Sequence, residues 1–184
     1  RFGFGSVSML PFGSWQRGDV PKASYPSPKA PAKTTVAVVD RPNAVQSTIS
    51  VSYPVDLKPG SPDEIKVKLT NSILGGGTFR LFNNLREKHG WTYGAYSSIQ
   101  SDKLVGQFNA SAEVRNPVTD SAFTEILAEM NRLRTETVPE DELNMVRNYM
   151  MGNFGRSLES PATIANFAIN TARYNLPKDY YSNY

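Results

Sequence analysis

Two short stretches of this chain switch sides with almost every residue, and that alternation excludes most ways of folding it. Gln46 to Tyr53 (QSTISVSY) puts Ile49, Val51 and Tyr53 on one side of an extended chain and hydroxyl side chains on the other. Leu104 to Val114 repeats the pattern through Val105, Phe108, Ala110 and Ala112, with one slip that reads as a β-bulge. A strand with one apolar face belongs in a sheet covered on one side only. A doubly wound parallel sheet asks instead for strands that are apolar throughout, with a helix between each pair. Thr34 to Asp40 (TTVAVVD) and Tyr93 to Ile99 read as two further strands. Arg41-Pro42-Asn43 links the first pair, and Ser101-Asp102-Lys103 turns the second.

Between and after the strand pairs the apolar period lengthens to that of a helix. Ser61-Pro62-Asp63-Glu64 is a capping-box sequence ahead of Ile65, Leu69 and Ile73, and Gly75 to Gly77 end that helix with positive-φ turns. Thr78 caps a second helix with Leu81, Phe82 and Leu85 inward, and Gly90 closes it. Phe123, Ile126, Leu127, Met130 and Leu133 fit one later helix. Leu143, Val146, Met150 and Phe154 fit the next, behind a Thr137/Glu140 capping pair. Ser160-Pro161 starts another through Ile164, Phe167 and Ala168, and Leu176-Pro177-Lys178-Asp179 opens a last one. Strand pair, helices, strand pair, helices is a segregated order. It predicts an α+β fold, an antiparallel or mixed β-sheet with helices packed on one face.

Pro11, Pro21, Pro26, Pro28 and Pro31, out of 13 prolines, stiffen residues 11 to 31 into an extended linker. Phe2 to Trp15 reads as the end of a preceding element. The expected organisation is therefore residues 1–33 as that end plus linker, and 34–184 as the domain, cut from something longer at both ends. Twenty basic against 17 acidic residues leave a net charge of +3, without any block of like charge, which does not argue for nucleic acid. No apolar run approaches the roughly 18 residues of a membrane span.

The run Leu74 to Tyr96 (LGGGTFRLFNNLREKHGWTYGAY) carries the chemistry. Arg86 near a helix end and Tyr93 at the start of a strand project at one edge of the fold. A guanidinium brings permanent charge and several donors, and a phenol can donate to an oxygen that is becoming an oxyanion. Spacing alone also allows Arg86 to complement its helix C-terminus and Tyr93 to be a sheet aromatic. The chain has one histidine, His89, and no cysteine, so the two-histidine zinc motifs are arithmetically impossible. His89 reads as a surface residue at a helix end. Gly75 to Gly77 lack the lysine and hydroxyl of a phosphate loop.

At GGGTFRLFNNLREKHGWTYGAY the sequence resembles the pitrilysin/insulinase family of zinc metallopeptidases, and within it the C-terminal half that binds no metal. AVVDRPNAVQSTISVSYP resembles the strand pair ahead of that run, and Gly106 to Ala165 its hairpin and following helices; Phe12-Gly13-Ser14-Trp15 is similar to the lead-in to its interdomain linker. The resemblance implies a partner half bearing HxxEH, zinc and a glutamate base, in the same polypeptide or in another subunit. It implies no cofactor in this chain and no hydrolysis by this chain alone. Arg86 and Tyr93 match the arginine and tyrosine that help bind the peptide substrate backbone and stabilise the tetrahedral intermediate. The glycine run is shorter than the substrate-binding loop of the family's mitochondrial processing members, so that role is not carried to Gly75 to Gly77. The competing expectations are a catalytically inactive scaffold or assembly subunit, and a module that binds peptides at a sheet edge. For a bacterial source, the expected compartment is the periplasm or cell envelope.

Overall fold

The computed structural model describes residues 14–16, 18, 19, 21, 24–26, 29, 31–77 and 79–183. Its centre is an antiparallel sheet of three strands, β1 (Gln46–Val55), β2 (Thr92–Gln100) and β3 (Gly106–Arg115), in the order β1-β3-β2. In β3, Gly106, Phe108, Ala110, Ala112 and Val114 are buried, while Gln107, Glu113 and Arg115 are exposed on the other face. Helices cover only the first of these faces. Small residues there, Ala95, Ala110 and Ala112, let the helices come close, and Leu81, Leu85 and Ile126 fill the space with no exposed surface. Each such leucine or isoleucine contributes about 1.5–3 kcal/mol of burial.

The helices are α1 (Glu64–Gly75), α2 (Arg80–Phe82) running on as a π-helical turn (Asn83–Lys88), α3 (Thr119–Thr135), α4 (Glu140–Ser157) and α5 (Pro161–Tyr174). A smaller cluster of Ile73, Phe79 and Val146 ties α1 to α4. Glu64 makes a polar tie at the other end of α1. Its carboxylate, 5% exposed, accepts from Gly60 N at 2.6 Å, Ser101 Oγ at 2.7 Å and Tyr180 Oη at 2.9 Å, with Lys68 Nζ at 2.9 Å. Burial pushes its pKa up, but the hydrogen bonds from Ser101, Lys68 and Gly60 outweigh that and leave it at about 2.

Several local expectations fail, and each failure has a tertiary cause. Thr34–Asp40 forms no strand; Val36, Val38 and Val39 are 74–86% exposed. β-branched residues favour an extended backbone, but a strand also needs an edge to pair with. The capping boxes do not close. The N-caps of α1 and α4 are Asp63 and Pro139, neither with a side-chain cap bond, and Glu64 turns to Gly60 instead. Thr78 lies outside the described residues, as do Phe2 to Gly13, Pro28 and parts of the linker.

The slip in the second alternating run is not a bulge, because Val105 precedes β3 and sits in the loop; the irregularity lies in β2. Gly75 to Gly77 serve close packing rather than positive φ. A Cβ on Gly75 would stand 2.6 Å from Ser97 N, and Gly76 has φ −74°. Ile65, Leu127, Ile164 and Ala168, all expected inward, are exposed, and α5 buries no residue completely. Three strands offer only a narrow surface, which α1, α2 and α3 already fill. Past Leu176, only a short 3-10 turn forms among the described residues, at Tyr180–Ser182.

Candidate functional site

The stretch from Arg80 to Gly90 is anchored on two sides before it presents anything to solvent. Leu81 and Leu85 plug the core. Arg80, also buried, forms a two-pronged pair with Glu142 of α4, Nε to Oε1 at 2.7 Å and Nη2 to Oε2 at 2.6 Å, and that carboxylate raises the pKa of Arg80 further. Asn84 Nδ2 donates to Glu125 Oε2 at 2.7 Å and Glu129 Oε1 at 2.8 Å, and Arg132 holds Glu129 from its other side at 2.9 Å. The helix then widens. His89 N bonds to Asn84 O at 3.2 Å, the i to i−5 spacing of a π-turn, and Gly90 takes φ +63°, where a side chain would be strained.

Arg86 follows the buried Leu85 on this turn, and its side chain is 39% exposed. Its guanidinium carbon lies 4.8 Å from the centroid of the Phe82 ring and 4.9 Å from that of Tyr93. Cation–π contacts of this kind contribute about 0.5–1 kcal/mol at exposed sites, and they restrict where the group can swing. The nearest carboxylate, Glu87, is 3.6 Å away, beyond hydrogen-bonding distance.

A bulge in β2 aims Tyr93. Thr92 pairs with Val114 and Ala95 with Ala112, so Tyr93 and Gly94 together face Glu113. The Thr92 hydroxyl stands in for the interrupted ladder, 2.6 Å from Glu113 O and 2.8 Å from Gly94 O, and accepts from Gly94 N at 3.1 Å. Tyr93 is 85% exposed. A cation and a phenol thus stand side by side at the surface, suited chemically to a carbonyl oxygen that gains charge.

The structure brings together both residues named from sequence and adds three that were missed, Phe82, Thr92 and Gly94. Phe82 had been assigned to the core. Gly94, a glycine inside a strand pattern, was the legible sign of a bulge. His89 sits at the helix end as expected but is half-buried rather than fully exposed. Its ring stacks on Trp91 at 4.0 Å, and its Nε2 is buried without a hydrogen bond among the described residues. No group of three His, Asp or Glu side chains among the described residues could hold a metal ion, and this donor set does not fit zinc.

An antiparallel sheet with helices packed on one face is consistent with the metal-free half of a pitrilysin- or insulinase-type peptidase. The chain belongs to that family: residues 11–150 match the peptidase M16 inactive domain. The peptidase M16 inactive domain from Pseudomonas fluorescens is similar at 27% identity and a TM-score of 0.68, over 76% of this chain and 34% of that one. A conserved protein from Enterococcus faecalis (22% identity, TM-score 0.64, 70% and 30% covered) shares the fold. So does a protease from Helicobacter pylori (18%, 0.68, 77% and 35%). The chain thus spans about a third of the length of these structures. No curated protein matches it.

Proposed function

We propose that this chain is the substrate-holding half of a zinc metallopeptidase, in which Arg86 and Tyr93 grip the carbonyl of the scissile peptide. The metal chemistry belongs to a separate, HxxEH-bearing half, since no group of side chains among the described residues fits a metal. The observation that supports the reading is the guanidinium lying 4.8 Å and 4.9 Å from the Phe82 and Tyr93 ring centroids, partly exposed and without a hydrogen-bonded carboxylate. Against these rings the guanidinium has less freedom to swing, so a peptide carbonyl arriving there meets a positioned charge rather than a fully mobile side chain. The Tyr93 hydroxyl donates to the same oxygen. Its bond strengthens as negative charge develops, so it favours the transition state over the bound substrate.

The test is Tyr93→Phe in the complete protein with its metal-bearing half. Turnover is expected to fall about 10²- to 10³-fold, the typical loss for one oxyanion donor, with zinc content unchanged. Wild-type turnover on several peptides would overturn the reading, and an unmutated complete protein that neither binds nor cleaves peptides would favour a scaffold. Peptide affinity with no turnover in the wild-type protein would favour a binding module.

A further inference from the structure

The open face of the sheet contains a second aromatic group that the Arg86–Tyr93 pair does not use. Tyr96 pairs with Ser111 across β2 and β3, which puts it on the face opposite the buried Ala110 and Ala112. Its ring leans back along its own strand toward Tyr93. A Cβ on Gly94 would stand 2.7 Å from Cε2 and Cζ of Tyr96, so only glycine leaves room for the ring to lie over the backbone there. Tyr96 nevertheless keeps 54% of its surface exposed. A glycine inside a strand weakens it, so its presence marks a place where something approaches the backbone closely.

The floor beyond Tyr96 carries no charge. Ser98 and Ser111, with Asn109, Ser50 and Ser52 across the other strands, make a flat surface of hydroxyls and one amide, and Ser50 Oγ donates to Asn109 Oδ1 at 2.6 Å. Charged residues make up 20% of the chain, and open sheet faces ordinarily use them for solubility. The nearest carboxylate on this face is Glu113, opposite Tyr93. A charged side chain laid over the floor would lose water without gaining a partner, whereas a flat apolar one would cover the Tyr96 ring.

We infer that Tyr96, held over Gly94, is a specificity-determining residue. It forms a subsite for an aromatic or large apolar side chain next to the carbonyl held by Arg86 and Tyr93, and the substrates are neutral, extended peptide segments. This rests on the reading of that pair as the carbonyl grip. Covering a sheet glycine with an aromatic ring can also be purely stabilising. That role would change every substrate alike and leave ratios between substrates untouched.

The experiment compares kcat/KM of the complete protein with its metal-bearing half on two peptides that differ only beside the scissile bond, phenylalanine against aspartate. The wild type is expected to favour phenylalanine. Tyr96→Ala should reduce that preference about 2- to 10-fold, the scale of one aromatic contact. Gly94→Ala, which forces the ring away, should reduce it similarly, and Tyr96→Phe should retain it. Tyr96→Thr, a strand-compatible residue without a ring, repeats the test should the alanine variant fold poorly. An unchanged ratio in Tyr96→Ala or Tyr96→Thr, or no preference in the wild type, overturns the inference. Tyr93→Phe should slow both peptides equally. Full activity in that variant would strike the carbonyl grip, while the Tyr96 ratio is read separately.

Discussion

Arg80 and Arg86 lie on the same short helical stretch and meet opposite fates. Arg80 points between α2 and α4, is 8% exposed, and pairs with both oxygens of Glu142. Arg86 emerges after the turn has widened, five times as exposed by side chain, and leans on two aromatic rings with Glu87 only at 3.6 Å. Identical chemistry is structural in one place and available in the other. What separates them is whether a carboxylate from another element pairs with the guanidinium. A buried charge must be satisfied inside the protein, and an exposed one can wait for a ligand.

The comparison breaks most readily at its buried side. Arg80→Ala in the full protein leaves Glu142 without its partner and should cost about 3–5 kcal/mol of stability, measured by urea unfolding. Replacing both partners, Arg80→Met with Glu142→Leu, should recover much of that. A stable Arg80→Ala variant would show that the buried pair does not anchor the turn. On the exposed side the expectation reverses. Arg86→Ala should leave the unfolding midpoint nearly unchanged and reduce turnover by an amount comparable with the 10²- to 10³-fold loss for Tyr93→Phe.

Glu64 supplies an intermediate case. Its pKa falls from 4.5 in the unfolded chain to about 2 in the fold, so its contribution is complete above about pH 4.5. It is lost as the pH falls toward 2 and the folded-state carboxylate takes up a proton. Glu64→Gln should therefore flatten the decline in stability between pH 4.5 and 2, followed by circular dichroism. The smallest effect belongs to Glu87→Gln. An exposed ion pair at 3.6 Å contributes about 0–1 kcal/mol, so unfolding should hardly move, and a large shift would mean Arg86 is held more tightly than its geometry implies.

The sheet was readable where burial and period coincided. The alternation of β3 and the Ile49-Val51 side of β1 follow directly from side chains that must face one core, while Tyr53 on that side stays partly exposed beside Phe108. Thr34–Asp40 had comparable composition and failed, because composition favours an extended chain without supplying a neighbour. The capping boxes failed for a related reason. A serine or threonine ahead of a glutamate records a local possibility, and in α1 the Glu64 carboxylate found stronger donors in Gly60, Ser101 and Tyr180, two of them distant in sequence.

For the site, residue chemistry offered Arg86 and Tyr93 as candidates, and the family resemblance singled them out from the run. It could not say that they meet. That depends on the π-turn, set by Leu85 in the core and Asn84 between two carboxylates of α3, and on the β2 bulge, set by pairing against β3. Periodicity and residue chemistry are properties of neighbours along the chain, so the sequence by itself determined which segments are strands with one wet face and which groups could do chemistry. Contacts between segments far apart in sequence decided which charges are buried and which side chains stand together, because only the closed fold sets the distances over which electrostatics and packing act.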